Sequence, residues 1–224
     1  MLAIPDLHCS FQHPRAFEFI EQIYFKWKCT EAVLLGDEID AASFGKYPKD
    51  PDGYSPGMEL AIAIDELKTL YRIFPKMKVC TSNHTARPLK RAFEAGLPRA
   101  LLRKYGEFLQ APDGWIWKDF WEIENVRYQH GEGFTGQSAH IQMARLHRQS
   151  VVHGHLHSFG GVTYLQGPND RIFGLNAGCL IDETQYPFQY AKNLANRPTL
   201  GVGIVIDGQE AHFVPMPEKM RRTK

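Results

Sequence analysis

Short apolar runs that stop at acids, amides or histidines recur along the first two thirds of the chain. Residues 2–5 end at Asp6-Leu7-His8, residues 32–35 at Gly36-Asp37-Glu38-Ile39-Asp40, and residues 76–81 at Ser82-Asn83-His84. Residues 126–129 end at His130, and residues 150–152 at His153-Gly154-His155-Leu156-His157. Runs this short, closed by Gly and polar residues, predict buried strands that deliver polar groups to their carboxyl ends. Helical spacings lie between them: Phe17, Ile20, Tyr24 and Trp27 after Pro14, an amphipathic stretch over 58–74, and another over 138–148. Strands alternating with helices predict parallel crossovers and an α/β fold.

The last third changes pattern. Residues 161–165, 171–175, 199–206 and 210–214 predict shorter strands, with turns at Pro168-Asn169-Asp170 and Asp207-Gly208. They are expected to form the antiparallel part of a second sheet. Residues 41–57 are turn-rich, with Tyr47, Pro48, Pro51, Asp52-Gly53, Tyr54 and Pro56, which suits a lid, a binding loop or a plain connection. Residues 85–105 set Arg87, Lys90, Arg91, Arg99, Arg103 and Lys104 against the single acid Glu94. Two readings of that stretch stand side by side, a polyanion-binding face and a solvated helical surface. Residues 112–121 carry Trp115, Trp117, Phe120 and Trp121 and are expected to be a folded-down loop or a subunit contact, with base stacking as the third reading.

Composition narrows these options. With 224 residues, 43% of them hydrophobic, the chain can build one α/β domain with a substantial core, expected over residues 1–217 with a basic tail at 218–224. A formal charge of +1 gives no global case for nucleic acid. Cys9, Cys29, Cys80 and Cys179 are dispersed and form no CxxC pair, which suits reduced thiols and a cytoplasmic protein. The amino-terminal residues have neither the basic lead nor the apolar core of a signal peptide, and no apolar stretch is long enough to span a membrane.

The candidate chemistry lies at the strand ends. Asp6 and His8, Asp37 and Asp40, Asn83 and His84, His130, and His155 with His157 each follow a strand-like run. Converging so many polar groups on buried strand ends is costly unless something compensates them, and a metal does. Imidazole and carboxylate without a nearby thiol point to manganese, iron or zinc, with too few oxygens for calcium. The set exceeds the needs of one ion. Two ions about 3.5–4 Å apart need a bridging carboxylate, for which Asp37 is the natural candidate, and such pairs suit in-line attack on a phosphate ester. A His beside an Asn ligand can reach the substrate and protonate the leaving oxygen.

The motifs Asp6-Leu7-His8, Gly36-Asp37-Glu38-Ile39-Asp40, Ser82-Asn83-His84-Thr85, His130 and Gly154-His155-Leu156-His157, in this order, resemble the DxH, GDxxD, GNHE or GNHD, lone-His and GHxH motifs of the calcineurin-like metallophosphoesterase superfamily. The feel is nearest to short phage and bacterial members that resemble DNA-repair exonucleases. The resemblance implies a four-layer αββα sandwich of two mixed β-sheets flanked by helices. It also implies two divalent metal ions, manganese favoured, with iron, zinc or nickel as alternatives. Asp6, His8 and His157 would hold the first ion, Asp37 would bridge, and Asn83, His130 and His155 would hold the second. His84 would be the catalytic His, with Asp40 steadying the site or orienting His84, and metal-bound hydroxide would be the nucleophile.

Two positions depart from the family pattern: Ser82 replaces a Gly, and Thr85 replaces an acid. The expected reaction is hydrolysis of a phosphodiester, with DNA as one substrate and Arg87, Lys90 and Arg91 as substrate-binding residues. The alternatives are a phosphomonoesterase acting on a nucleotide, metabolite or phosphoprotein, and a non-catalytic scaffold, which would lack ligands that are all present here. A monomer or small homo-oligomer is expected. His153 is expected to be a structural imidazole, and Asn176 and Gly178 are weaker candidates for substrate contact.

Overall fold

The computed structural model describes residues 1–46, 51–185 and 197–221. Tyr47 and Pro48 of the turn-rich stretch, and residues 222–224 of the basic tail, lie outside them. Four parallel strands, β1 (Leu2–Ile4), β2 (Ala32–Leu34), β3 (Lys76–Cys80) and β4 (Gly114–Lys118), lie side by side in chain order. A second sheet takes β5 (Phe120–Ile123), β6 (Val126–Gln129), β7 (Ser150–His153), β8 (Gly161–Gln166) and β9 (Arg171–Asn176) in the order β5-β6-β7-β9-β8. Its central strands β6, β7 and β9 are parallel, and its two edges are antiparallel. The chain then returns to the first sheet, where β10 (Gly201–Ile206) pairs antiparallel with β1 and β11 (Glu210–Pro215) covers β10.

Helices α1 (Ala16–Lys26) and α2 (Pro56–Ile73) cover the outer face of the first sheet, and α5 (Ala139–His147) covers the outer face of the second. The shorter α3 (Arg87–Glu94) and α4 (Tyr105–Phe108) lie between β3 and β4, and α6 (Glu218–Arg221) follows β11. Alternation along the strands makes the layers. Leu2, Ile4 and Leu34 pack against Phe19, Ile20 and Leu67 of the helices, while Ala3, Val33 and Leu35 face Tyr128, Val152 and Leu175 of the opposite sheet. Each fully buried Leu, Ile or Phe contributes about 1.5–3 kcal/mol by leaving water. The fold is thus a layered sandwich of two mixed sheets flanked by helices, as the motif order implied. Among the described residues, no helix is long and apolar enough to cross a membrane.

Three expectations need correction. Residues 201–206 and 210–215 join the first sheet and not the second. Five of the six residues of β10 are buried, so this strand needs a neighbour along both edges, which β1 and β11 supply. Residues 112–121 are not a loop: β4 and β5, with only Asp119 between them, carry the chain from one sheet to the other. The aromatic alternation there is a strand pattern. The indole N–H groups of Trp115, Trp117 and Trp121 donate inward, to Phe74 O, Glu38 Oε1 and Val79 O at 2.9, 2.9 and 3.0 Å. Residues 218–221 of the tail fold as α6, with Met220 buried and Arg221 Nε donating to Met216 O at 2.8 Å.

Candidate metal centre

The carboxyl ends of β1, β2 and β3 meet those of β6 and β7 between the sheets, and every strand-end group lies there. Sharp turns aim them inward. His8, Asp37 and His155 adopt left-handed φ values of 51°, 49° and 67°, which cost non-glycine residues free energy and persist where surrounding contacts enforce them. The N–H groups of Leu7 and His8 both donate to Asp37 O, at 3.1 and 2.8 Å, locking the first two motif loops together. Gly36 (φ 99°) and Gly154 are required by space: a Cβ would stand 2.6 Å from Ser82 Cβ in the first case and 2.2 Å from Asp6 Oδ1 in the second. Ser82, the departure from the usual Gly, is put to use, since its hydroxyl accepts the Asp37 N–H at 2.7 Å.

Three sets of three side chains bring ligand atoms within 4.8 Å of one another: Asp6 with His8 and His157, Asp37 with His130 and His155, and His8 with Asp40 and His84, the last sharing His8 with the first. His157 Nε2 is 2.9 Å from Asp6 Oδ2, and the Asn83 Oδ1 atom is 2.7 Å from His130 Nε2, so Asn83 joins the second set. Asp37 Oδ2 stands 3.5 Å from His8 Nε2 and 3.3 Å from His130 Nε2 and so faces the first two sets. Asp40 binds the other nitrogen of His8, with Oδ2 2.7 Å from Nδ1, which turns Nε2 toward the centre. The backbone N–H of His84 donates to Asp37 Oδ1 at 3.1 Å, and His84 Nδ1 is 3.0 Å from Asp40 O.

This donor set fits divalent cations. Asp6 Oδ1 is buried and makes no hydrogen bond. His130 Nε2 and His155 Nδ1 approach to 3.1 Å, a separation at which two lone pairs need a proton or a cation between them. Carboxylate, imidazole and amide oxygen without thiolate suit borderline first-row ions.

Without a cation, protons balance the charge. Burial opposes ionisation of Asp37, but His130 and His84 outweigh it and hold the carboxyl well below the usual range. Asp6 and Asp40 are lowered in the same way, burial being outweighed by His157 and His130 for Asp6 and by His8 and His84 for Asp40. Burial likewise disfavours charge on His130, yet Asp37 and Asp6 raise it to about 9. Burial, the largest influence, lowers His8 and His155, whereas for His84 it is outweighed by Asp37 and Asp40 and the ring is raised.

A pH dependence follows for metal-free protein. The folded value of His130 lies above its ordinary 6.5, so its contribution to stability is full below 6.5 and is lost as pH rises through about 9. The depressed aspartates act at the other end, with a contribution present above 3.8 and lost as pH falls through their folded values. Urea melts in chelator should show stability falling across the alkaline window, with the fall reduced in His130→Asn. Identical slopes in the two proteins would contradict this assignment.

The expected substrate-binding residues take different places. Arg87 Nη1 donates to Asp40 O and Oδ1 at 3.0 and 3.1 Å, and its Nη2 lies 2.9 Å from His84 Nε2, so it sits at the mouth of the site. Lys90 points to Glu132 at 3.7 Å. Arg91 turns away from the mouth, donating to Phe44 O and Gly45 O. Asn176 donates to Leu156 O and accepts from Gly178 N–H, bracing the turn that carries His155 and His157 instead of facing a substrate. His153 is buried, with Nδ1 2.6 Å from Gly154 O.

Two charged residues, Glu38 and Glu59, carry no signal in the sequence, and a third, Arg91, takes a different partner from the substrate expected for it. Glu38, between Asp37 and Asp40, is fully buried, and burial pushes its carboxyl up to about 7 against the pull of Trp117 and Thr85. Glu59 and Arg91 bind the backbone after Asp40. An acid in a variable motif position or on a helix reads as solvent-facing, and only its long-range partners show otherwise.

No family model matches the chain, and no curated protein matches it. Among solved structures, it is similar to Yfce, a phosphoesterase from E. coli, at 17% identity and a TM-score of 0.46, over 90% of this chain and 86% of that one.

Proposed function

We propose that this protein is a dinuclear-metal-dependent phosphoester hydrolase. The observation that carries the reading is the first two three-residue sets, with Asp37 facing both. Asp6, His8 and His157 would hold one ion, Asn83, His130 and His155 the other, and Asp37 both. When bound, such a pair lowers the pKa of water and polarises phosphoryl oxygens. The chain does the rest. Asp40 orients His8 and, through its carbonyl, His84. His84, its side chain 18% exposed, lies at the mouth, where its Nε2 accepts from Arg87 Nη2 at 2.9 Å; with Arg87 turned to the substrate and a proton on both ring nitrogens, Nε2 can donate to the leaving oxygen. Buried strand ends exclude bulk water behind the reacting centre.

Manganese is the favoured metal, with iron, zinc and nickel as alternatives. A phosphodiester is the favoured substrate and DNA a specific candidate, because α3 and the residues after it, which follow His84 in the chain, carry Lys90, Arg99, Arg103 and Lys104 at exposed positions. That surface also supports the likeness to short exonuclease-like members. A second reading, phosphomonoester hydrolysis, is favoured by Arg87, whose guanidinium beside His84 suits a dianionic terminal phosphate.

The test is turnover by manganese-loaded protein on single- and double-stranded DNA, a bis-aryl phosphate and a mono-aryl phosphate. Diester cleavage is expected. Cleavage confined to the monoester would eliminate the diesterase reading, and no cleavage by protein carrying two ions would eliminate both. In His84→Ala, turnover should fall about 10²–10⁴-fold, the range for a lost general acid, with metal content unchanged. Loss of an ion instead would place His84 among the ligands.

A further inference from the structure

The turn that follows Asp40 is gripped from two helices. Ala41 has φ 52°, and Ala42–Phe44 form a single 3-10 turn. Glu59, buried in the first turn of α2, takes the N–H of Ala42 on Oε1 at 2.6 Å and that of Ser43 on Oε2 at 2.8 Å. Arg91 of α3 takes the opposite end, Nε donating to Phe44 O at 2.8 Å and Nη2 to Gly45 O at 2.7 Å, while Nη1 is held by Glu94. Charge-assisted bonds of this kind are roughly twice as strong as neutral ones. A small cavity lined by Ile39, Phe44, Leu60 and Ala63 lies behind the turn.

This matters to the site because the Asp40 carbonyl is the partner of His84 Nδ1 at 3.0 Å. A carbonyl oxygen only accepts, so its position selects the form of His84 that carries a proton on Nδ1. Nε2 is thereby turned toward the mouth.

We propose that Glu59 and Arg91 are positioning residues for His84: by fixing the turn over residues 41–45 they fix the Asp40 carbonyl, and through it the orientation of the imidazole. The inference rests on the reading of the site as a phosphoester hydrolase in which His84 meets the substrate. Arg91 is then not a substrate contact, although it belongs to the basic stretch.

The test uses zinc-loaded full chain with ¹⁵N-labelled histidine, and reads the His84 ring nitrogens by two-bond proton correlations beside steady-state kinetics. Wild type is expected to show proton-bearing Nδ1. In Arg91→Met and Glu59→Ala, His84 should move to mixed tautomers, with kcat down about 10–100-fold, the usual effect of losing a supporting partner, KM within about twofold, and zinc content unchanged. Arg91→Lys, which keeps one donor, should recover part of both signals.

A wild-type His84 spectrum and wild-type kcat in folded, zinc-loaded Arg91→Met and Glu59→Ala would overturn the proposal. Should those two fail to fold, Arg91→Lys and Glu59→Gln carry the same tautomer readout, and an unchanged spectrum in both overturns it equally. Wild-type protein inert toward every phosphoester would overturn the hydrolase reading instead, and the spectra would still decide whether the turn positions His84.

Discussion

Asp37→Asn is expected to lose an ion and nearly all turnover, although its shape is almost unchanged. The carboxylate faces both His8 and His130, and it also accepts the backbone N–H of His84. An amide keeps a single acceptor oxygen and turns an NH₂ group toward ring nitrogens that would otherwise share a cation. Losing a merely supporting partner costs about 10–100-fold in affinity or activity, so a drop of roughly 10³-fold or more is expected for a shared ligand. Metal content per chain and turnover on a bis-aryl phosphate measure it directly. Two ions retained, with activity near wild type, would remove Asp37 from the centre of the site.

Saturating divalent metal should raise the melting temperature strongly. An ion that binds only the folded state adds about 2.7 kcal/mol at a concentration one hundred times its dissociation constant. Two such sites give about 5 kcal/mol, or roughly 10–20 °C for a chain of this size. The effect should grow with pH toward about 9, because the second ion must displace the proton that His130 otherwise holds. Calorimetry in manganese, zinc and chelator provides the check. A shift surviving intact in Asp37→Asn would place the bound ions elsewhere, and no shift at millimolar metal would argue that the cluster holds none.

What was legible beforehand follows a physical rule. Apolar runs closed by polar residues located β1, β2, β3, β6 and β7 because a strand buried on both faces leaves a continuous apolar signature. The ends of those same strands located Asp6, Asp37, His130 and the other converging groups. Placement of the β10–β11 hairpin was not legible, since a hairpin signal identifies partners in the turn and not the sheet they join. Residues 112–121 read as an aromatic, turn-rich loop because the strands there, Gly114–Lys118 and Phe120–Ile123, are short and separated by a single residue. Glu38, Glu59 and Arg91 depend on partners 79, 17 and 47 positions away, a range over which single-sequence periodicity carries no information.

The place of β1 has a consequence for biosynthesis. This strand leads directly into Asp6 and His8, yet one of its two edges is covered only by β10, residues 201–206. On the ribosome, β1 therefore emerges before β10 and keeps an open edge until residues 201–206 have followed it. An unpaired apolar edge is a template for stray β-pairing. Nascent chains stalled after residue 185 should accordingly be chaperone clients, whereas chains released after residue 215 should not.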